Sequence, residues 1–214
     1  LLGFSAASAP SAAGLADMVI SNNSLYTAGT TGGGAYVVYG RTATTALTLD
    51  SLEVSEGFRI SGYAATNGLE LGRTVNAVGD MNGDGLDDVL IGAPLATGDD
   101  IGTGAAYIVF GKADGEAIDL SSPDSSGAAI FIQGDQINAF AGQSVSVAGD
   151  VNGDGMTDLI IGASNSRNAI FDEGAAYVVF GREDASTIHM SDVRAGIGGF
   201  AIKGQVPMDG TGEW

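Results

Sequence analysis

The chain has 214 residues, 26 of them acidic and 8 basic, which gives a net charge of −18, and it contains no cysteine. Nucleic acid is excluded as a partner by this charge, because phosphates need Lys and Arg, and disulfides are excluded outright. Hydrophobic residues make up 44% of the chain, enough for a core, and no apolar run is long enough to predict membrane insertion.

The sequence repeats itself with a period of about 70 residues. Asp80 and Asp150 lie 70 residues apart, as do Gly111 and Gly181, and Gly40 precedes Gly111 by 71. A fixed period of this length indicates repeated structural units. The chain therefore holds three copies of one unit.

The first copy is degenerate. In its register Asp17 falls on Asp88 and Gly14 on Gly85, while the other acidic positions are lost. Leu1–Ala7 falls on a strand position of the second copy. A signal-peptide end is the alternative interpretation of this segment, but it lacks a basic n-region.

Four short runs rich in Val, Ile, Tyr and Phe recur in each copy, bounded by Gly, Asp, Asn and Ser. This pattern predicts strands, and no segment shows a sustained helical period. The predicted strands are 74–78, 88–92, 105–110 and 128–132 in the second copy, and 144–148, 158–162, 175–180 and 199–203 in the third.

Four antiparallel strands at a fixed period predict one blade of an all-β propeller. We expect about three blades in this single segment, so the chain would form a partial propeller or part of a larger one. The predicted boundaries are 1–62, 72–134 and 142–204, with 205–214 leading into a further blade.

The two loops Asp80–Asp88 and Asp150–Asp158 both read D-x-N-x-D-G-x-x-D. Their oxygen-bearing side chains at positions 1, 3, 5 and 9 suit a hard cation. An EF-hand would need Glu at position 12, where Ile91 and Ile161 stand, and helical flanks. The alternatives left are a calcium-binding β-hairpin loop and a turn rich in Asp and Asn that binds no metal.

The calcium interpretation predicts two Ca²⁺ sites, each with four side-chain ligands and one backbone carbonyl. Mg²⁺ fits less well, because it prefers a rigid, water-rich octahedron. The expected ligands are Asp80, Asn82, Asp84, the Leu86 carbonyl and Asp88 in one loop, and Asp150, Asn152, Asp154, the Met156 carbonyl and Asp158 in the other.

With these residues in place, the chain resembles the FG-GAP repeats of integrin α-subunit β-propellers and their bacterial relatives. The resemblance rests on Gly72 with Asp80–Pro94, and on Gly142 with Asp150–Ala163. It implies Ca²⁺ in the hairpins between strands one and two, an extracellular or cell-surface location, and a role in adhesion.

The sequence departs from this family in three ways. Leu71 and Ala141 precede the glycines where Phe is usual, and the first copy has lost its ligands. The family's propeller has seven blades, whereas this chain supplies three. Further blades of the same protein, or copies of the chain, are therefore expected partners.

No enzyme constellation is present, so we expect no catalytic residues. The single histidine, His189, has no G-x-S-x-G serine to activate, and zinc would need more His or Cys ligands. We therefore expect a structural or adhesion segment with a protein or glycan partner. The alternatives are an accessory propeller of a secreted hydrolase, a carbohydrate-binding module, or a self-assembling sheath or fibre subunit.

Overall fold

A computed structural model describes residues 8–10, 15–22, 26–27, 30–31, 33–62, 70–96, 102–121, 127–164, 174–182 and 184–205. The fold is all-β, and its main sheets are blades of a partial propeller, as predicted. The strand expected at residues 1–7 lies outside the described residues. So do residues 206–214, where the start of another blade is expected.

The first blade is a sheet in the order β1-β2-β5-β6, extended at its outer edge by β10 from the next repeat. A small separate sheet pairs β3 with β4, and a 3-10 turn covers Leu49–Ser51. The strands are β1 (Ser8–Pro10), β2 (Ala16–Asn22), β3 (Tyr26–Thr27), β4 (Thr30–Thr31), β5 (Gly34–Val38) and β6 (Gly57–Ser61).

The second and third blades follow the same order. The second is β7-β8-β9-β11 with β15 added at its outer edge, and the third is β12-β13-β14-β16. The strands are β7 (Val75–Gly79), β8 (Asp88–Ala93), β9 (Ala105–Val109), β10 (Ile118–Asp119), β11 (Ala129–Gln133), β12 (Ser144–Gly149), β13 (Asp158–Ala163), β14 (Ala175–Val179), β15 (Ile188–His189) and β16 (Gly199–Lys203). Each of the eight predicted strands of these blades is found within one residue at either end.

The middle strand of a blade is apolar throughout because both of its faces are covered. In β8, Leu90 packs towards the third blade, whereas Val89 and Ile91 pack towards the first. Successive side chains of a strand point to opposite faces of the sheet. One run of apolar residues therefore supplies two separate interfaces.

Two short strands cross from one blade to the preceding blade, which the sequence did not predict. β10 pairs in parallel with β6, and β15 pairs in parallel with β11. The first pairing is extended by the Leu120 amide, which donates to the Ser61 carbonyl at 2.8 Å. Each outer edge that receives such a strand is thereby tied to the next repeat.

A short helix, α1 (Met190–Arg194), follows β15 and was also not predicted. Its Met190 and Val193 are fully buried, and its Arg194 forms an ion pair with Asp135 at 2.7 Å. The Tyr177 hydroxyl donates to the same Asp135 carboxylate at 2.9 Å. Five residues are too few for a helix to be stable alone, so these contacts between the second and third repeats stabilise it.

Candidate metal centre

The two acidic loops join the first strand of a blade to its second strand. Residues 80–87 connect β7 to β8, and residues 150–157 connect β12 to β13. A register shift precedes each loop, and a bulge of this kind bends a strand locally. It places a glycine opposite the last aspartate of the loop (Gly79 opposite Asp88, Gly149 opposite Asp158).

The first aspartate of each loop gathers backbone amides. One oxygen of Asp80 accepts from Gly83 at 2.7 Å and Asp84 at 3.1 Å, and the other accepts from Gly85 at 2.9 Å. Asp150 accepts from the equivalent three amides at 2.7, 3.1 and 2.9 Å. The two loops therefore close around their first carboxylate in the same way.

The middle ligand candidates are brought into direct contact. The Asn82 amide group donates to Asp84 Oδ2 at 2.9 Å, and Asn82 Oδ1 accepts from the Asp84 amide at 2.9 Å. The equivalent bonds of Asn152 and Asp154 measure 2.7 and 2.9 Å. Positions 1, 3 and 5 thus form one connected group of side chains on the exposed side of each hairpin.

The glycine at position 6 is required by backbone conformation. Gly85 has φ +87° and Gly155 has φ +91°, and a Cβ at either position would meet no atom within 4 Å. Residues other than glycine rarely adopt this left-handed region. The glycine therefore permits the turn and makes no close approach to other atoms.

The last aspartate of each loop is fully buried and accepts hydrogen bonds from outside the loop as well as from within it. Asp88 accepts from the Met81 amide at 2.9 Å and from the Gly111 amide at 2.8 Å, so it ties the loop to the end of β9. Asp158 accepts from Val151 at 2.7 Å and Gly181 at 2.9 Å. In the degenerate first repeat, Asp17 still accepts from Gly40 at 2.7 Å.

Sequence reasoning missed these glycine partners. In the sequence, Gly40, Gly111 and Gly181 serve only as markers of the repeat period. The signal was available, because the start of the second strand of an antiparallel pair lies beside the residues that follow the third strand.

Electrostatics distinguish Asp88 and Asp17 from ordinary carboxylates. Burial raises the pKa of Asp88 to about 6, against the opposing effect of the two amides, and the charges of Asp84 and Asp80 raise it further. Burial likewise raises the pKa of Asp17. The effect of Asp80 and Asp84 on Asp88 shows that the carboxylates of one loop repel one another.

The predicted backbone ligands lie beside the same turn. The amides of Leu86 and Met156 donate to Asp84 and Asp154, both at 2.8 Å. The Leu86 side chain lies against Gly111, and its Cβ would be 2.9 Å from a Cβ added to that glycine. The Met156 Cβ would likewise be 2.7 Å from a Cβ added to Gly181. Both residues are therefore held at the loop's return into the second strand.

The donor chemistry fits a hard cation, although the carboxylates face different ways. In the part of the chain that the structure describes, no three or more His, Cys, Asp or Glu side chains form a cluster able to hold a metal. Asp80 and Asp84 face the loop's own amides, and Asp88 faces inward. None of the five ion pairs among the described residues involves a loop carboxylate, so no protein cation neutralises them.

The FG-GAP repeat family matches residues 72–109 and 141–179. The first segment begins with the second repeat and the other with the third. Each includes the acidic hairpin of its repeat and ends with the third strand of the blade. These two segments are FG-GAP repeats, and the chain is integrin α-like. The matched segments are those in which all the hairpin positions are kept.

The relatives of this FG-GAP chain include several integrin α-subunits. It is 38% identical to integrin alpha-PS5 of Drosophila melanogaster over 107 residues, 49% of this chain and 9% of that protein. It is 31% identical to integrin alpha pat-2 of Caenorhabditis briggsae over 150 residues, 64% of this chain and 12% of the relative. Integrin alpha-E of Mus musculus is 34% identical over 113 residues, 50% of this chain and 9% of that protein. The chain thus spans about a tenth of the length of these relatives.

Among the described residues of the FG-GAP chain, the helices are too short and too polar to cross a membrane.

Proposed function

We propose that this chain is a calcium-binding FG-GAP propeller segment with a structural or adhesion role at the cell surface or outside the cell. Two Ca²⁺ ions would bind, one in each complete hairpin. The proposed ligands are Asp80, Asn82, Asp84, the Leu86 carbonyl and Asp88, and Asp150, Asn152, Asp154, the Met156 carbonyl and Asp158.

The observation that carries this proposal is the agreement between the two hairpins. The same residue types occupy the same positions, and the corresponding hydrogen bonds within the loops differ by at most 0.2 Å. A turn built only on Asx hydrogen bonds would need fewer acids. Three carboxylates in one loop, none of them in an ion pair with a described Lys or Arg, favour a divalent cation.

Calcium would act on stability in this proposal. Two bound Ca²⁺ ions bring four positive charges and change the net charge from −18 to about −14, which relieves repulsion within each loop. An ion that binds the folded chain better than the unfolded chain stabilises the fold by mass action. Each hairpin would then be fixed at the rim of its blade.

The proposed blades cover residues 1–62, 72–134 and 142–204, and residues 205–214 would lead into another blade. The resemblance to integrin α-subunits supports a binding role, with a protein or glycan partner, over an enzymatic one. The rims that carry the hairpins would be stabilised by calcium, while the partner would contact loops elsewhere on the blades.

The melting temperature in Ca²⁺ and in chelator tests the metal sites. We expect Ca²⁺ to raise the melting temperature of the natural chain, each of Asp84→Ala and Asp154→Ala to reduce that rise, and the double variant to abolish it. Asp50→Ala, which removes an exposed acid outside the loops, is the matched control and should keep the full rise. An equal melting temperature of the natural chain in Ca²⁺ and chelator would contradict the proposal.

The adhesion role needs a separate test. The purified chain, immobilised on a surface, should retain cells or an immobilised glycan panel better in Ca²⁺ than in chelator. The Asp84→Ala, Asp154→Ala double variant should lose the calcium-dependent part. If the natural chain shows the calcium-dependent rise in melting temperature but retains neither cells nor glycans, the adhesion role fails and the structural role stands.

A further inference from the structure

Each of the two acidic hairpins carries an asparagine that is followed directly by a glycine. These pairs are Asn82-Gly83 and Asn152-Gly153, at positions 3 and 4 of the loops. A third such pair, Asn67-Gly68, lies outside the described residues. Asparagine is most reactive before glycine, because no Cβ shields the glycine nitrogen from the side-chain carbon of the asparagine. Each hairpin therefore contains a pair that can convert its own side-chain amide.

The turn itself requires both members of the pair. Gly83 has φ +80° and Gly153 has φ +81°, a left-handed conformation that residues with a Cβ rarely adopt. Asn82 and Asn152 each bond to the aspartate two residues later through both polar atoms of the side-chain amide. Both glycines are exposed, so water reaches them. The hairpin thus places a reactive pair at the surface of each of these blades.

The reaction is a cyclisation followed by hydrolysis, with water as the co-reactant. The Gly83 nitrogen gives up its proton and bonds to Asn82 Cγ, while the bond from Cγ to Nδ2 breaks and ammonia leaves with the proton. Water then opens the succinimide ring. Cleavage at Cγ leaves aspartate, and cleavage at the backbone carbonyl of residue 82 leaves isoaspartate, whose main chain runs through the side-chain carbon. Nothing is oxidised or reduced.

The closed hairpin holds both groups that react. The Gly83 N–H donates to Asp80 Oδ1 at 2.7 Å, and Asn82 Nδ2 donates to Asp84 Oδ2 at 2.9 Å. Cyclisation removes both donors, so it breaks both hydrogen bonds. The Asp80 carboxylate also opposes loss of the Gly83 proton, because a second negative charge would form beside it. A loop that has opened lacks these restraints.

The second hairpin has the same restraint, and the degenerate first repeat has no reactive pair. Gly153 donates to Asp150 at 2.7 Å, and Asn152 donates to Asp154 at 2.7 Å. In the first repeat the corresponding positions hold Ser11-Ala12. The reaction is therefore confined, among the three repeats, to the two hairpins with all their acidic positions.

Either product changes the hairpin. Aspartate places a carboxylate where the Asn82 amide donated to Asp84, so repulsion replaces a hydrogen bond. Isoaspartate adds a main-chain atom between residues 82 and 83, which moves the Gly83, Asp84 and Gly85 amides relative to Asp80. Because the ammonia is lost, a hairpin that has reacted does not regain its original bonds.

We propose that Asn82 and Asn152 are sites of spontaneous deamidation, and that the closed hairpin restrains the reaction until the loop opens. Bound Ca²⁺ strengthens this restraint by holding the hairpin closed, and this part alone rests on the proposed function. At a free Ca²⁺ concentration 100 times the dissociation constant, the ion-free fraction falls about 100-fold, and deamidation should slow by the same factor.

Mass-spectrometric peptide mapping of the 214-residue chain tests the restraint after incubation in Ca²⁺, in chelator, and in chelator with urea. We expect the rate of amide loss to rise in that order at both asparagines, with isoaspartate, measured by enzymatic methylation, accumulating in parallel. Asn138, which is exposed and is followed by Ala139, is the internal control and should keep its amide. A rate in urea no higher than in the folded, metal-free chain, at either asparagine, overturns the proposal.

The variant Asp80→Ala separates the two loops within one chain. It frees the Gly83 amide, so Asn82 should deamidate faster in chelator than in the natural chain, and Ca²⁺ should no longer slow it. Asn152 should keep its natural rates, and Asp50→Ala, at an exposed acid outside the loops, should leave both sites unchanged. An unchanged rate at Asn82 overturns the proposal. If Asp80→Ala unfolds the chain, Asn152 will rise to its urea rate, and the natural chain with and without urea decides.

The calcium part fails separately from the rest. If Ca²⁺ changes neither the melting temperature nor the two rates, the proposed calcium sites are wrong, and the comparison between chelator and urea still decides the restraint. If Ca²⁺ raises the melting temperature but leaves both rates unchanged, the proposed protection by calcium is overturned.

Discussion

The hairpin of the first blade and those of the second and third blades differ in a way that separates two roles. All three keep an aspartate at the start of the second strand, which accepts a hydrogen bond from the amide of the glycine after the third strand (Asp17 with Gly40, Asp88 with Gly111, Asp158 with Gly181). The acids at positions 1 and 5 occur only in the second and third blades. The last aspartate therefore holds the blade together, and the earlier acids serve something further, which we infer to be calcium.

The largest expected effect comes from removing the shared aspartate. Asp88→Ala leaves the half-buried Met81 and Gly111 amides without this acceptor, and we expect a loss of about 3 kcal/mol in the free energy of unfolding. Asp17→Ala frees the Gly40 amide and should cost about half as much. Urea unfolding in chelator measures both, so that calcium binding does not contribute.

The control for this prediction is Asp84→Ala in the same chelator. Asp84 is exposed, and its loss should change the free energy of unfolding by less than about 1 kcal/mol. If Asp84→Ala costs as much as Asp88→Ala without calcium, the division of roles between the two positions is wrong.

The next largest effect is the stability that Ca²⁺ should add to the second and third blades but not to the first. At a free concentration 100 times the dissociation constant, each complete hairpin should gain about 2.7 kcal/mol. Asp154→Ala and Asp84→Ala should each lose one such increment, because the two loops lie in different blades and act independently. Replacing Ala9, the first-blade counterpart of Asp80, with Asp should add no third increment, since the other acids are missing there. Urea unfolding in Ca²⁺ measures these differences.

A smaller effect is expected at the turn itself. Gly85→Ala should destabilise the chain by about 1 kcal/mol, because alanine is strained at φ +87° although the added methyl meets no other atom. Gly155→Ala should match it. Thermal unfolding in chelator checks the pair, and a loss at only one glycine would show that the two hairpins are not equivalent.

The smallest expected effect is the pH response of Asp17. Burial raises its pKa above the usual value of 3.8, so the folded chain holds this proton more tightly than the unfolded chain. The resulting stability is present below the unfolded pKa and is lost as pH rises through the folded pKa. Asp17→Asn, which keeps the acceptor for Gly40, should therefore flatten the decline in melting temperature as the pH rises above the usual aspartate pKa of 3.8. An unchanged profile would show that Asp17 does not titrate in this range.

The strands of the second and third blades could be predicted within one residue because their apolar runs are bounded by turn residues and are repeated. Other features depend on contacts distant in sequence. β10 and β15 have two residues each, too few for any periodic pattern, and α1 is held by Asp135, which follows β11, and by Tyr177 of β14. The apolar–x–apolar segments Ile118-Asp119-Leu120 and Ile188-His189-Met190 are a local signal of the added strands.

The site could be predicted by residue type but not by orientation. The sequence places four oxygen-bearing side chains in one loop, but its pattern does not indicate which of them face inward. Only the folded hairpin shows that Asp88 faces inward to Gly111 while Asp80 and Asp84 collect the loop amides. A partner 23 residues away in sequence is fixed by the pairing of the second and third strands, which the loop pattern does not contain.

Calorimetric titration of Ca²⁺ into the purified chain tests the central claim most directly, because it counts sites. The account predicts two Ca²⁺ ions per natural chain, one for Asp84→Ala, one for Asp154→Ala, and none for the double variant, with Mg²⁺ binding more weakly. A natural chain that takes up no Ca²⁺, or a double variant that binds as many ions as the natural chain, would contradict it.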